Sequence, residues 1–277
     1  MLGKLKHWKR WLALPGGHDK PTVPEELWAR VEARLPFLAW LPIDARPRLR
    51  TLSEDFLAEK EFYGAHGLRL DDEIMLTVAV QACLPVLNHR GLAAYHGWVG
   101  IVVYPGGFIV PQQVMDEAGV VHEYADILLG EAREDGPVLL SWFDNGPPSG
   151  VNIVIHEFVH KLDMASNGGD ADGCPALPPG MSRNAWAQAF TAAYGRLCKL
   201  EEGGIETILD PYATTSLGEF FAVASEAFFE APMSLRADFP AVYAQLAAFY
   251  GLDTATGEEK QRGIRLAADS IALRRPS

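Results

Sequence analysis

Residues 151–163 read VNIVIHEFVHKLD and contain the pattern His-Glu-x-x-His within a run of mostly apolar residues. The apolar setting predicts a buried helix over Val151–Met164. Residues four apart on a helix lie on the same face, so His156 and His160 can offer two imidazole nitrogens to one metal ion. Glu157 lies beside them, where it can accept a proton from an attacking water. The segment therefore indicates a zinc site of the kind that serves peptide-bond hydrolysis.

The alternative interpretation is that His156 and His160 are ordinary core histidines with a chance glutamate between them. Two histidines and a glutamate are costly to bury in so apolar a helix unless they have a partner. The residues around the pattern, including Ile155, Phe158 and Val159, are mostly apolar. The cost of burial favours a shared metal ion.

Catalytic zinc needs a third protein ligand and one open coordination position. Metzincin enzymes continue the pattern with glycine and a third histidine, but this chain has Asp163 and Ser166 at those positions. No histidine follows His160. A carboxylate from a later helix is the natural candidate for the third ligand.

Two glutamates in one predicted helix, Gly218–Phe229, are candidates for that carboxylate. Glu219 and Glu226 are seven residues apart and share a face of the helix. Spacing alone does not rank one above the other.

Periodicity elsewhere predicts an α+β fold with a small mixed sheet and a mostly helical C-terminal half. The predicted helices before the sheet cover roughly 24–35, 47–64 and 71–88. Short strands are predicted at 98–104, 108–110, 119–124 and 137–143. The later helices are Val151–Met164, Arg183–Glu201, Gly218–Phe229 and Pro240–Tyr250, with a last helix after Thr254. Zinc peptidases commonly hold substrate on a sheet edge, which 98–104 or 137–143 could supply.

Residues 1–20 are predicted to form a flexible basic N-terminal arm, although its tryptophans could instead touch a membrane surface or a partner. No linker or repeat divides residues 21–277. We expect a single domain there, with N-terminal helices and the sheet up to about residue 150 and a zinc-binding helical half from residue 151.

Composition excludes several classes of protein. The apolar fraction of 48% and the charged fraction of 22% are typical of a folded globular chain. A net charge of −12 argues against direct contact with nucleic acid, and no apolar run is long enough to span a membrane. The three cysteines, Cys83, Cys174 and Cys198, form no C-x-x-C pair and favour a reducing compartment. We therefore expect a cytoplasmic protein.

Several motifs together resemble the Mlc titration factor A family of zinc metallopeptidases, whose catalytic core is similar to the metallopeptidase domain of anthrax lethal factor. The main motifs are HEFVHKLD at 156–163 and EFFAVASEAFF at 219–229. The others are CLPVL at 83–87, YPGGFIV at 104–110, PVLLSWFD at 137–144 and GVNIVIHE at 150–157. The resemblance covers most of the chain from about 70 to 250. It implies a zincin-like fold with an HExxH active-site helix and one zinc ion per chain.

The resemblance also implies roles for individual residues. It makes Glu219 the third zinc ligand and Tyr212, seven residues earlier, a catalytic residue that stabilises the transition state. The alternative for Tyr212 is a structural role in its loop.

Ligating histidines usually donate their second ring N–H to a carboxylate or carbonyl. Asp163, Glu226 and Asn152 are candidates for such outer positions around the zinc ligands. Each of them could equally be a polar residue on a helix surface.

Two functions follow from the resemblance. The first is aminopeptidase-like hydrolysis of short peptides by zinc-activated water with Glu157 as general base. The second is a regulatory binding role, because the family sequesters the transcriptional repressor Mlc from DNA. The expected partners are therefore a peptide substrate and, in the second case, a repressor protein. The presence of both Glu157 and Tyr212 favours chemistry, because a pure binding module needs no general base.

Overall fold

Helices come before and after a central block of strands in the structure, a computed structural model that describes residues 22–115, 121–143, 151–166 and 169–272. The predicted arm, residues 1–20, lies outside the described residues. The helices are α1 (Glu25–Arg34), α2 (Ala45–Glu59), α3 (Asp72–Cys83), α4 (Ile153–Met164), α5 (Arg183–Glu202), α6 (Leu217–Glu230), α7 (Pro232–Asp238), α8 (Pro240–Tyr250) and α9 (Thr254–Ala272). The strands are β1 (Glu61–Gly64), β2 (Gly100–Pro105), β3 (Phe108–Met115), β4 (Val121–Leu128), β5 (Gly130–Ala132) and β6 (Val138–Trp142).

The main sheet has four strands in the order β1-β2-β6-β5. Strands β1, β2 and β6 are parallel, whereas the short edge strand β5 runs antiparallel to β6. Strands β3 and β4 form a separate antiparallel pair. The predicted α+β class, with a small mixed sheet and a mostly helical C-terminal half, is confirmed.

Two expectations about the sheet are wrong. The predicted helix over 47–64 ends at Glu59, and residues 61–64 pair with β2 as an edge strand, because pairing with a neighbour overrides local helix preference. The segments 98–104 and 137–143, suggested as an exposed edge, contain β2 and β6, which have neighbours on both sides. The edge next to the predicted zinc helix is β5.

Aromatic packing holds α4 and α6 in place. Phe158, on the back of α4, is fully buried, and its ring centroid lies 5.6 Å from that of Phe56 and 5.1 Å from that of Tyr95. On α6, the buried Phe221 lies against Trp186 of α5, with centroids 5.5 Å apart. These contacts anchor α4 to α2 and α6 to α5.

Within the described part of the chain, no helix combines the length and apolar character needed to cross a membrane.

Candidate metal centre

Helix α4 begins at a side-chain cap. The Asn152 side-chain oxygen accepts a hydrogen bond from the Ile155 backbone N–H at 3.0 Å, which satisfies one of the free donors of the first turn. His156 and His160 follow one turn apart on the same face, and their ring centroids are 4.8 Å apart. The cap and the helical spacing together bring the two imidazoles to one point.

Helix α6 supplies a carboxylate to the same point. The Ser216 hydroxyl caps this helix by accepting from the Glu219 backbone N–H at 3.1 Å, so Glu219 lies in the first turn. Glu219 Oε2 is 3.0 Å from His156 Nε2 and 3.2 Å from His160 Nε2. The two Nε2 atoms are themselves 3.1 Å apart.

This triangle of donor atoms fits a metal ion. A tetrahedral zinc ion with bonds of about 2.0–2.1 Å holds its ligand atoms roughly 3.3–3.4 Å apart, close to the three observed separations. His156, His160 and Glu219 are also the one group of three such residues in the described chain whose ligand atoms, all within 4.8 Å of one another, could hold an ion. Two imidazoles and a carboxylate are a donor set that suits zinc.

The charges in the triangle compensate one another. Burial lowers the pKa of His156, but hydrogen bonds to Glu219 and Glu226 outweigh it and raise that pKa to about 10. Burial likewise raises the pKa of Glu219, but hydrogen bonds from His156 and His160 bring it down to about 2. Glu219 is therefore ionised at neutral pH and available to bind a cation.

Glu226 contacts the other side of the His156 ring. Its Oε1 lies 2.7 Å from His156 Nδ1, and its Oε2 accepts a hydrogen bond from the Asn152 backbone N–H. If a metal ion replaced the proton on Nε2, the carboxylate at Nδ1 would keep the other proton on that nitrogen and hold the ring in place. Asn152 in turn donates from its side-chain amide to Gln81 at 2.8 Å and to Glu230 at 2.6 Å.

Asp163, the third candidate for an outer position around the metal residues, interacts electrostatically with His160. It is fully buried at the end of α4, where its Oδ2 accepts from the Gly173 backbone N–H at 2.7 Å. His160 Nδ1 is buried and has no hydrogen-bond partner among the described residues. Burial raises the pKa of Asp163 to about 6 against the effect of that backbone N–H. Asp163 thus anchors the loop after α4.

Glu157 lies beside the triangle in an apolar environment. It is only 6% exposed, and burial raises its pKa to about 7 although the two histidines pull it down. The space for its carboxylate exists because residue 130 is a glycine. A Cβ added at Gly130 would lie 2.2 Å from Glu157 Oε1. Strand β5 and the Glu157 carboxylate are thus in direct contact.

We expect Gly130→Ala to lower kcat by about 10- to 100-fold, because the added methyl group displaces the Glu157 carboxylate and small misplacements of a reacting group are costly. The measurement is kcat on a chromogenic amino-acid amide, with metal content determined in parallel. Gly195→Ala is the matched control, since a Cβ there meets nothing within 4 Å. A wild-type kcat in Gly130→Ala would contradict the proposed contact.

Tyr212 lies in a short 3-10 turn, Pro211–Thr214, that the Asp210 side chain caps by accepting from the Tyr212 backbone N–H at 2.8 Å. Its ring centroid is 6.2 Å from that of His156, and the residue is 51% exposed. Burial of the hydroxyl and the charges of Glu219 and Glu157 raise its pKa to about 12. The phenol therefore stays protonated at neutral pH and can donate a hydrogen bond.

A cavity of about 260 Å³ opens onto this group of residues. Its walls include His156, Glu157 and Tyr212. The remaining walls are mainly aliphatic, from Leu128, Leu129, Val151, Ile153 and Val223. The cavity combines a few polar groups with an apolar lining, as small-molecule sites commonly do.

Sequence reasoning missed two residues that touch the site or its surroundings, Gly130 and Gln81. Gly130 carries no signal in the sequence, because its role depends on a contact between residues far apart in the chain. Gln81 is a polar residue among the apolar residues of the second half of α3. That contrast was a usable hint that it has a buried polar partner.

Comparison with known proteins agrees with this geometry. The sequence pattern of the family described as glucose-regulated metallo-peptidase M90 matches residues 5–251. Mlc titration factor A of Pectobacterium atrosepticum is 34% identical over 264 residues, covering 93% of this chain and 98% of the relative. The protein of the same name from an Enterobacter species is 34% identical over 238 residues, covering 84% of this chain and 89% of the relative. The chain therefore belongs to the glucose-regulated metallo-peptidase M90 family.

Proposed function

We propose that this chain is a zinc-dependent peptidase with aminopeptidase-like action on short peptides. The observation that carries the proposal is the convergence of His156 Nε2, His160 Nε2 and Glu219 Oε2 beside the buried carboxylate of Glu157. In this proposal His156, His160 and Glu219 hold one zinc ion, Glu157 is the general base and Tyr212 is the oxyanion donor.

When bound, a zinc ion supplies a Lewis acid that polarises the scissile carbonyl and lowers the pKa of water from about 15.7 toward about 7. Glu157 accepts the proton from the attacking water and passes it to the leaving amine. Its pKa of about 7 suits both steps, since a base near the working pH can take up and release a proton. Tyr212 donates its phenolic proton to the oxyanion in a hydrogen bond.

The residues that surround the proposed zinc ligands support the same assignment of ligands. Glu226 fixes the orientation of His156 through Nδ1, and Asn152 fixes Glu226 through its backbone N–H. Asn152 also caps α4, so one residue sets both the start of the helix and the orientation of its first histidine. Asp163 remains a candidate for an outer position near His160 in the proposal, and its carboxylate also holds the loop that contains Gly173.

The free edge of β5 is our candidate for the substrate-binding strand. Among the described residues β5 pairs with β6 on one side only, and Gly130 touches the proposed general base. An extended peptide added along this edge would hydrogen-bond through its backbone and pass in front of the metal position. A helix carrying the metal residues beside such an edge strand supports a zincin-like arrangement.

The cavity supports a preference for apolar side chains next to the scissile bond, given its aliphatic walls. Asp210, an exposed acidic residue, also lines the cavity. A carboxylate near the site favours a free α-ammonium group on the substrate, which is the basis for aminopeptidase-like action.

We also propose that residues 21–277 form one domain and that the protein is cytoplasmic. A single cluster of buried apolar side chains extends from Val23 to Ala255, which supports one domain. Cys83, Cys174 and Cys198, all within the described residues, form no disulfide with one another, which supports a reducing compartment.

The second candidate function is regulatory binding of a transcriptional repressor. It is favoured by the name of the relatives, Mlc titration factor A, which describes titration of a regulator. The two functions can coexist, since binding of a protein partner does not require the metal residues to be inactive.

The test of the proposed function is chelator-sensitive hydrolysis. We expect the wild-type protein to cleave leucine 4-nitroanilide faster than the aspartate analogue, and to lose activity on chelation and regain it with zinc. N-acetylation of the substrate should lower kcat/KM by about tenfold or more, because the α-ammonium group is lost. If the wild type shows no hydrolysis that a chelator removes, the peptidase proposal fails and the binding role is left. Equal rates on free and acetylated substrates would contradict the aminopeptidase-like part alone.

A further inference from the structure

Lys161 is a buried lysine on α4, directly after His160. It is only 3% exposed, and its ammonium group donates to the backbone carbonyls of Glu134 at 2.9 Å and Gly136 at 3.0 Å, and also to that of Arg133. All three carbonyls belong to the turn that joins β5 to β6. One side chain on the helix of the candidate ligands thus binds the turn at the end of the edge strand.

The geometry of this contact is specific. A lysine ammonium has three N–H donors and no acceptor, and here three carbonyl oxygens accept from it. Hydrogen bonds from a charged donor are stronger than neutral ones, especially away from water. Such a group defines the distance between α4 and the turn more closely than apolar packing would.

A second buried lysine provides a comparison. Lys60 is also 3% exposed and lies over the same indole, with its Nζ 4.1 Å from the Trp98 ring centroid against 4.6 Å for Lys161. Lys60 donates to the carbonyls of Tyr95 at 2.6 Å and Trp98 at 2.8 Å. These carbonyls precede β2, so Lys60 shares the aromatic environment of Lys161 without binding the turn beside β5.

Because strand β5 is short, its position depends on how the turn that follows it is attached to α4. The strand contains three residues, Gly130–Ala132, and within the part of the chain that the structure describes it pairs with β6 along one edge only. Gly130 at its start contacts Glu157, and the Arg133 carbonyl directly after its end accepts from Lys161. Both ends of β5 are therefore held against α4.

We propose that Lys161 is a positioning residue, whose ammonium group fixes the β5–β6 turn to α4 and so holds the free edge of β5 at a set distance from Glu157 and the metal residues. Its kinetic consequence rests on the proposed peptidase function and on β5 as the substrate strand. Its structural consequence, the ordered position of β5, does not depend on hydrolysis.

The test compares Lys161→Met with Lys60→Met in the zinc-loaded full-length protein. Methionine keeps an apolar chain against Trp98 but removes all three donors. We expect Lys161→Met to raise KM by about tenfold with a smaller effect on kcat, and to speed hydrogen exchange of the amides at 130–132 by about tenfold or more. Zinc content should stay at the wild-type level. Lys60→Met should leave both KM and the exchange at 130–132 as in the wild type.

Unchanged exchange at 130–132 in Lys161→Met would overturn the proposal, and so would an equal change in Lys60→Met. If Lys161→Met does not fold, Lys161→Gln, which keeps two N–H donors, is measured instead, and the same pattern is expected at smaller size. If the wild type shows no hydrolysis, the peptidase proposal has failed, and the exchange measurement alone decides whether Lys161 orders β5.

Discussion

Glu157→Gln is expected to lower kcat by about 10²–10⁴-fold while the protein keeps its zinc, because the amide cannot accept the proton from the attacking water. Glu157 lies beside the three candidate ligands, yet it is not one of the three residues whose atoms converge. Glutamine has nearly the same shape and is neutral, so it should fit the space beside Gly130. The measurement is kcat on leucine 4-nitroanilide, with zinc determined by elemental analysis.

The pH dependence should identify Glu157 as the group that titrates. Burial raises its pKa to about 7, and a base must be ionised to act, so the wild-type kcat should rise with pH up to about 7 and then level off. A bound cation favours the ionised form, so in the zinc-loaded protein this rise should occur at or below about pH 7. The residual activity of Glu157→Gln should lack this rise.

Glu73→Gln is the control for the Glu157 experiment. It makes the same chemical change at a carboxylate that pairs with Arg30 and Arg34 on the surface, away from the site. It should leave kcat and the pH profile unchanged. Chelator-sensitive activity in Glu157→Gln equal to that of the wild type would remove Glu157 from the mechanism.

Glu219→Ala is expected to lose its zinc, whereas Glu226→Ala should retain it. Glu219 Oε2 lies 3.0 Å and 3.2 Å from the Nε2 atoms of His156 and His160, at the corner of the donor triangle. Glu226 contacts His156 at Nδ1, on the opposite side of the ring from the donor triangle. Removing a residue that hydrogen-bonds to a ligating histidine, but does not bind the metal itself, typically weakens metal binding by about 10- to 100-fold without abolishing it.

The two variants should be compared by zinc stoichiometry after dialysis against a weak chelator. We expect close to one zinc per chain in the wild type, almost none in Glu219→Ala and an intermediate amount in Glu226→Ala that rises when zinc is added. Both substitutions remove a buried or half-buried carboxylate from the same helix, so each is a control for the other's effect on folding. Equal zinc retention would show that the third ligand is wrongly assigned.

The sequence was sufficient for the helices that carry the site. The apolar run around the His-Glu-x-x-His pattern predicted α4 to within two residues, and the run from Gly218 predicted α6 to within one. Long segments with strong periodicity carry their own signal, because one face must be buried whatever lies opposite. The spacing of four residues also predicted that His156 and His160 lie on the same face of α4.

Short elements were missed because their stability comes from distant neighbours. Strands β1 and β5 contain four and three residues, and each exists only through its pairing with β2 or β6. Helix α7, which begins at Pro232, was not predicted either. Proline is also well suited to the first position of a helix, and here it begins the next one.

Spacing could not separate Glu219 from Glu226, and the structure gives the physical reason. Residues seven apart share a helix face, so both carboxylates face His156, one at each ring nitrogen. Which nitrogen each carboxylate meets depends on how α6 lies along α4. That relation depends on how the two helices pack in the folded core, which no local pattern contains.

The burial of Glu157 also affects the stability of the metal-free protein. Its pKa is raised from 4.5 to about 7, so the folded state binds this proton more tightly than the unfolded state does. Below about pH 4.5 the carboxyl is protonated in both states, so the free energy of unfolding is unaffected. It falls as the pH rises from there to about 7, and above that range it is lower by about 3 kcal/mol. A cation held by His156, His160 and Glu219 would offset much of this loss by stabilising the ionised carboxylate. The candidate general base thus weakens the metal-free fold at neutral pH, and a metal ion bound beside it would restore stability.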